Sequence, residues 1–294
     1  MGTTPTRFGI SSSTSSKNAR LKGVILAAGY GTRFLPVTRV VPKELLPLGT
    51  RPALASVVDE LAGAGVEEIL VVTTRRKRTI EDWFDRDPEL EAACGADRLD
   101  YPNVRATFIR QGEMGGTGHA LRLARTFAGD APILVAYPDD LFDGDCSRLL
   151  AETWRQTGCS VLACGDLSGQ DVSRYGVIDA APDSAGVLRV RDIVEKPPAG
   201  TEPSHLVSWG RYLYTPEIFP ALEDTWRRHA SGELYATDAI RALAEKGRVV
   251  AKVIPFRRFD TGEPLGYLQT VIDTGLADPS LGAPLRAWLK ERLR

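Results

Sequence analysis

The segment that most restricts the fold is Gly23-Val24-Ile25-Leu26-Ala27-Ala28, an unbroken run of apolar and small residues that ends at Gly29. A strand with one wet face alternates apolar and polar residues. A continuous run closed by glycine is instead the pattern of a strand covered on both faces, as in a parallel sheet between helices. Residues Arg51 to Ala64 then predict a helix, with Pro52 near its first turn, Leu54, Val57, Val58 and Leu61 on one face and Gly65 past its end. Glu68 to Thr73 gives a second buried strand and completes a right-handed βαβ unit. The alternation continues with a helix over 79–84, a strand over 104–110, a helix over 119–127 and a strand over 132–137. After Cys159 the predicted strands are shorter and separated by turn residues (160–164, 176–180, 188–195 and 209–214), as in a mixed or antiparallel extension of the sheet. A helix over 236–245, a strand over 249–255, a helix from about Leu265 and an amphipathic piece over 285–293 complete the chain. The fold class expected is α/β, a Rossmann-like mixed, mostly parallel sheet flanked by helices. Residues 1–20, with Ser11 to Ser16 all Ser or Thr, read as a flexible tail, 21–275 as one domain and 276–294 as a C-terminal helical segment.

In such a sheet, ligands bind in the crevice at the carboxyl ends of the strands. Gly29-Tyr30-Gly31-Thr32-Arg33 stands there, and its small residues let backbone N–H groups approach a phosphate closely. A dinucleotide fingerprint would need a third glycine where Phe34 stands and an acidic residue where the second strand ends in Thr73-Thr74; no GxxxxGK[ST] string occurs either. Pro36, Pro42, Pro47 and Pro52 forbid a helix directly after the loop and stiffen the segment that carries Arg33 and Lys43. The 37 Lys and Arg are balanced by 38 Asp and Glu, so an anionic ligand must be held by a few local cations. For the same reason Arg75-Arg76-Lys77-Arg78 reads as a solvated helix start, and no nucleic-acid partner is expected. No apolar run approaches the roughly 20 residues of a membrane span, and no secretory h-region is present, so a cytoplasmic protein without a membrane partner is expected. Cys94, Cys146, Cys159 and Cys164 form no CxxC pair and read as reduced, mostly structural thiols.

The string GxGTRxxPxTxxxPKxxxPxxxxP, spanning Gly29 to Pro52, resembles the signature of the sugar-1-phosphate nucleotidyltransferases. Within that superfamily the chain is most similar to the bacterial UTP:glucose-1-phosphate uridylyltransferases, from about Lys22 to about Asp273. The resemblance implies a nucleotidyltransferase fold whose β extension, about 160–240, binds the sugar. It implies that Ala27, Ala28, Gly29, Gly31 and Thr32 wrap the nucleotide and that Arg33 and Lys43 meet its phosphates as catalytic cations. Gln111 and Gly116, in Gln-Gly-Glu-Met-Gly-Gly-Thr-Gly-His, match the residues that read the base. Asp139 in Tyr-Pro-Asp-Asp and Asp260 in Phe-Asp-Thr-Gly match the carboxylates that hold Mg2+. Glu195 and Lys196 match the Glu-Lys-Pro motif, in which Glu binds sugar hydroxyls and the catalytic Lys meets the sugar phosphate; Gly176 and Gly210 match further sugar-side positions.

His119, at a helix start after a glycine turn, reads as structural, and Asp140 as a support for Asp139 or a solvated residue. Arg39 and Pro264 stand where the uridylyltransferases usually carry lysine, so the substrate pair is open at this point. The expected partners are a nucleoside triphosphate and a sugar 1-phosphate, with UTP and glucose 1-phosphate to UDP-glucose first. The alternatives are GTP or dTTP, another sugar or cyclitol phosphate, or a non-catalytic nucleotide-sugar-binding regulator. A homo-oligomer, dimer or tetramer, is also expected, with the apolar C-terminal helices and Trp288 as a contact surface, although the same pattern suits an intramolecular core.

Overall fold

The computed structural model describes residues 19–95, 99 and 102–293, so the tail expected over 1–20 lies, except for Ala19 and Arg20, outside the described residues. In chain order the elements are β1 (Lys22–Leu26), β2 (Pro47–Leu48), β3 (Arg51–Pro52), α1 (Ala53–Gly63), β4 (Glu68–Thr73), α2 (Arg78–Phe84), α3 (Pro88–Cys94) and β5 (Arg105–Arg110). They continue with α4 (Gly116–Arg122), α5 (Arg125–Ala128), β6 (Ile133–Ala136), β7 (Asp140–Phe142), α6 (Cys146–Thr157), β8 (Ser160–Asp166), β9 (Gly176–Pro182), β10 (Leu188–Glu195) and β11 (Leu206–Tyr214). The last are α7 (Ile218–Arg228), α8 (Ala236–Ala244), β12 (Val249–Val253), β13 (Arg258–Asp260), α9 (Pro264–Ala277) and α10 (Gly282–Arg292).

Nine strands form one sheet in the order β5-β4-β1-β6-β11-β8-β12-β10-β9. All run the same way except β10 and β11. The apolar run of β1 is central, paired in parallel with β4 on one side and β6 on the other, and Val24 and Ile25 are wholly buried. Each face of the sheet has its own core. Leu54, Val57 and Leu61 of α1 pack on one face with Leu150 and Trp154 of α6; Leu121 of α4, Phe219 and Leu222 of α7 and Ile240 of α8 pack on the other.

Because the chain leaves β1 toward β4 but returns as β6 on the opposite side, the strand order reverses between β1 and β6, where a crevice opens at the carboxyl ends. The glycine loop follows β1 there and Asp139 follows β6. The predicted helix over 119–127 is divided between α4 and α5, and β11 begins at Leu206 rather than 209. No helix among the described residues is long and apolar enough to cross a membrane. The four cysteines are free, with Cys146, Cys159 and Cys164 buried.

Candidate active site

The glycine loop is held open by its own chemistry. Gly31 takes a left-handed φ of 66°, and the Thr38 hydroxyl donates to its carbonyl at 2.8 Å. A tight turn at Lys43–Leu45, between Pro42 and Pro47, then sends neighbouring side chains in different directions. Lys43 reaches across to form an ion pair with Asp139. Glu44 turns inward, where it is 1% exposed, and Lys77 donates to its two oxygens at 2.7 and 2.8 Å and to the Ala27 carbonyl at 2.7 Å. Burial disfavours the charge on Lys43, but Asp139 and Glu44 outweigh it and hold the pKa above the ordinary value. The expectation of a solvated basic run therefore holds for the exposed Arg75, Arg76 and Arg78 but fails for Lys77, which is buried because a buried carboxylate needs a cation.

Asp139 and Asp260 are brought together by a two-stranded ribbon. β7 pairs antiparallel with β13, in register Asp140 with Asp260, and both the N–H and the hydroxyl of Thr261 donate to the Asp139 carbonyl, at 2.8 and 3.0 Å. A Cβ placed on Gly262 would lie 2.9 Å from Asp139 Oδ2 and 3.1 Å from Asp260 Oδ1, so the two carboxylates face one small gap that only glycine leaves empty. Burial raises the Asp139 carboxyl, but Lys43 and Arg258 outweigh that and hold it below the usual carboxylate range. Asp140 is not solvated. It is buried, accepts from the Gly210 N–H at 2.6 Å and from Arg258 Nε at 2.8 Å, and burial pushes its carboxyl up. Arg258, which also lies 3.4 Å from Asp260, was not singled out in the sequence. The available signal was its position two residues before Asp260 on one strand, which puts both side chains on the same side.

The opposite wall is the β extension. Gly176 opens β9 directly opposite Glu195 at the end of β10. Burial raises the Glu195 carboxyl, even beside the Lys196 ammonium at 3.7 Å. Lys196 is the one non-glycine residue with positive φ among the described residues, at 47°, and its Nζ lies 5.1 Å from the centre of the Tyr235 ring. Such backbone strain persists where surrounding structure enforces it, commonly at functional sites. Here the Lys196 N–H donates to the Tyr175 carbonyl at 3.0 Å.

The loop at Gln111–His119 is stitched to the segment before α8. The Leu234 N–H donates to the Gly115 carbonyl and the Gly118 N–H to the Leu234 carbonyl, both at 2.8 Å. Gly116 has φ 86°, and a Cβ there would fall 2.5 Å from the Leu234 carbonyl. The amide of buried Gln111 donates to the Gly116 carbonyl at 3.1 Å and lies 3.2 Å from His119 Nδ1. His119 stacks on Trp226 of α7 with ring centres 5.4 Å apart. Its position is that of a packed side chain.

A cleft of about 540 Å³ lies between these walls. Gly29, Arg33, Asp139, Gly176, Glu195, Lys196, Gly210 and Asp260 line it, and Lys43 stands behind Asp139. Arg33 lies 3.2 Å from Glu263 at the start of α9. Ala27, Ala28 and Gln111 are buried at the strand ends beside the cleft, while Gly31, Thr32 and Gly116 lie off its lining. Thr32 instead lines a smaller pocket, about 250 Å³, behind the glycine loop.

The sequence model of the family described as nucleotidyl transferase matches residues 22–274. The UTP–glucose-1-phosphate uridylyltransferase of Staphylococcus epidermidis is 39% identical over 281 residues, 92% of this chain and 97% of that protein. The enzyme of the same name from Bacillus subtilis is 40% identical over 271 residues, 88% of this chain and 92% of that protein. Among solved structures, the UTP-bound UGPase from Acinetobacter baumannii matches with a TM-score of 0.82 at 32% identity, covering 92% of this chain and 98% of that one. A UDP-glucose pyrophosphorylase complexed with UDP-glucose matches with a TM-score of 0.76 at 34% identity, covering 85% and 96%.

Proposed function

The chain belongs to the nucleotidyl transferase family, and from that premise we propose that it transfers the uridylyl group of UTP to glucose 1-phosphate, giving UDP-glucose and pyrophosphate. The observation that carries this reading is the convergence on one cleft of a phosphate loop with Arg33, the Lys43–Asp139 pair, Asp260, and the Glu195–Lys196 corner of the β extension. The reaction needs two polyanions side by side, and this cleft presents cations on both walls.

In this reading a phosphate oxygen of glucose 1-phosphate attacks the α-phosphorus of UTP. The new P–O bond forms as the bond from the α-phosphorus to the bridging oxygen of pyrophosphate breaks. The attacking phosphate is already ionised and needs no base, so alignment and charge neutralisation carry the rate. Arg33 and Lys43 hold the triphosphate, with the backbone from Ala27 to Thr32 around it, and Gln111 and Gly116 read the base. Lys196 holds the sugar phosphate, while Glu195 and the backbone at Gly176 and Gly210 take the sugar. Asp139 and Asp260 would hold a hard divalent cation such as Mg2+, since both present carboxylate oxygens to the gap at Gly262. When bound, the cation neutralises phosphate charge. A nucleoside triphosphate as substrate supports a cytoplasmic location. Exposed Leu265, Leu268 and Ile272 on α9 and Trp288 on α10 support a contact with a second copy of the chain.

Pyrophosphate release with Mg2+, each common nucleoside triphosphate and a panel of sugar 1-phosphates tests the reading. UTP with glucose 1-phosphate is expected to give the highest kcat/KM, lost with EDTA and restored by Mg2+. Preference for another pair would make Arg39 and Pro264 specificity determinants, and no release from any pair would point to a nucleotide-sugar-binding regulator.

A further inference from the structure

The proposed reaction uses no cation of the run Arg75-Arg76-Lys77-Arg78, and Lys77 is the one of the four that is buried. Its ammonium has three protons and three acceptors: the Ala27 carbonyl at 2.7 Å and the two oxygens of Glu44 at 2.7 and 2.8 Å. These come from separate stretches of chain. Ala27 directly follows the central strand, at the root of the glycine loop. Glu44 sits on the Lys43–Leu45 turn, directly after Lys43. Lys77 itself closes the turn after β4, with its N–H donating to the Thr74 carbonyl at 3.1 Å. Among the described residues, Glu44 makes no other hydrogen bond. A buried ion pair adds little stability over an apolar pair of the same size, whereas removing one partner leaves an uncompensated charge. Burial keeps the Lys77 pKa below its usual value, although Glu44 opposes that.

We propose that Lys77 is a positioning residue for Lys43: by tying Glu44 to the end of β1, it fixes the turn from which Lys43 reaches Asp139 and the triphosphate. This rests on the reading of Lys43 as a catalytic cation. Lys77 does not line the cleft. A shift of about 1 Å at a reacting group can cost about a hundredfold in rate, and a freed Glu44 would move the Lys43 turn by that order.

The test is a double-mutant cycle on pyrophosphate release from UTP and glucose 1-phosphate, with thermal melts of each variant. Lys77→Met is expected to melt cooperatively and to lose about a hundredfold in kcat, with KM for glucose 1-phosphate unchanged. Adding Lys77→Met to Lys43→Ala should slow the enzyme no further, because the first residue acts through the second. If the two losses multiply, or if Lys77→Met keeps wild-type kcat, the proposal is overturned. Should Lys77→Met fail to fold, Glu44→Gln replaces it in the cycle. It keeps an acceptor for Lys77 but removes the charge, and the same non-additivity with Lys43→Ala is expected. Wild-type turnover in Lys43→Ala alone would instead overturn the role given to Lys43, and an inactive wild-type chain would overturn the proposed reaction.

Discussion

Gly262 carries more of the site than its lack of a side chain suggests. A methyl group there would stand 2.9 Å from Asp139 Oδ2 and 3.1 Å from Asp260 Oδ1, in the gap assigned to the cation. Gly262→Ala is therefore expected to lower kcat by about a hundredfold or more, in line with loss of a main source of charge stabilisation, and to raise the Mg2+ concentration for half-maximal rate. Urea unfolding should be almost unchanged, since this glycine has no positive φ; a variant with ordinary Mg2+ dependence would place the cation elsewhere. Glu195 gives the pH prediction. Its carboxyl is raised above 4.5 by burial, so on acidification it takes up its proton before an ordinary glutamate does and loses its charge at pH values above 4.5. KM for glucose 1-phosphate should thus rise in the wild type as pH falls toward 4.5, beyond the substrate's own titration, and Glu195→Gln should lack that component. Equal pH dependence in both would remove Glu195 from the sugar site. At this scale the resemblance singled out Asp139, Asp260, Glu195 and Lys196, and the fold brings these four to one cleft. Lys77 was not legible in the sequence, because what makes it buried is Glu44, 33 residues away, and a lysine among arginines gives no sign of such a partner.

The β7–β13 ribbon and the kink in β11 decide how the two walls meet. Each ribbon strand has three residues and pairs across more than a hundred positions, so neither periodicity nor turn residues disclose it. The parallel strands β1, β4 and β6 were legible because burial on both faces writes an unbroken apolar run. The division between α4 and α5 was not, since the apolar spacing continues through it. In β11 the pairing with β8 shifts between Ser208 and Tyr212, and fully buried Arg211 lies in that interval. Its guanidinium donates to the Tyr137 and Gly210 carbonyls, both at 3.0 Å, and to Glu60 of α1 at 2.8 to 3.1 Å. Glu60 also accepts from the N–H and hydroxyl of Ser147 at 2.9 and 2.6 Å, which joins α6 to the same centre. Arg211→Met should cost about 3–5 kcal/mol of unfolding free energy, the usual cost of stranding one charge of a buried pair. A urea midpoint near that of the wild type would show that β11 holds its register without this pair.

On the scale of the whole molecule, the crevice between β1 and β6 supplies the wall proposed to take the phosphates and the later strands supply the wall proposed to take the sugar, and the hydrogen bonds between Gly115, Gly118 and Leu234 tie them together. The mixed sheet could be anticipated from the change in strand texture after Cys159. Its order could not, because β11 inserts between β6 and β8 through long-range pairing. The account's central claim is that this single cleft holds both substrates at once and passes the uridylyl group directly between them. The most direct measurement is exchange of labelled pyrophosphate into UTP with Mg2+ and no sugar phosphate. Direct transfer predicts no exchange until glucose 1-phosphate or UDP-glucose is added, whereas exchange without either would reveal a uridylylated enzyme and contradict the account.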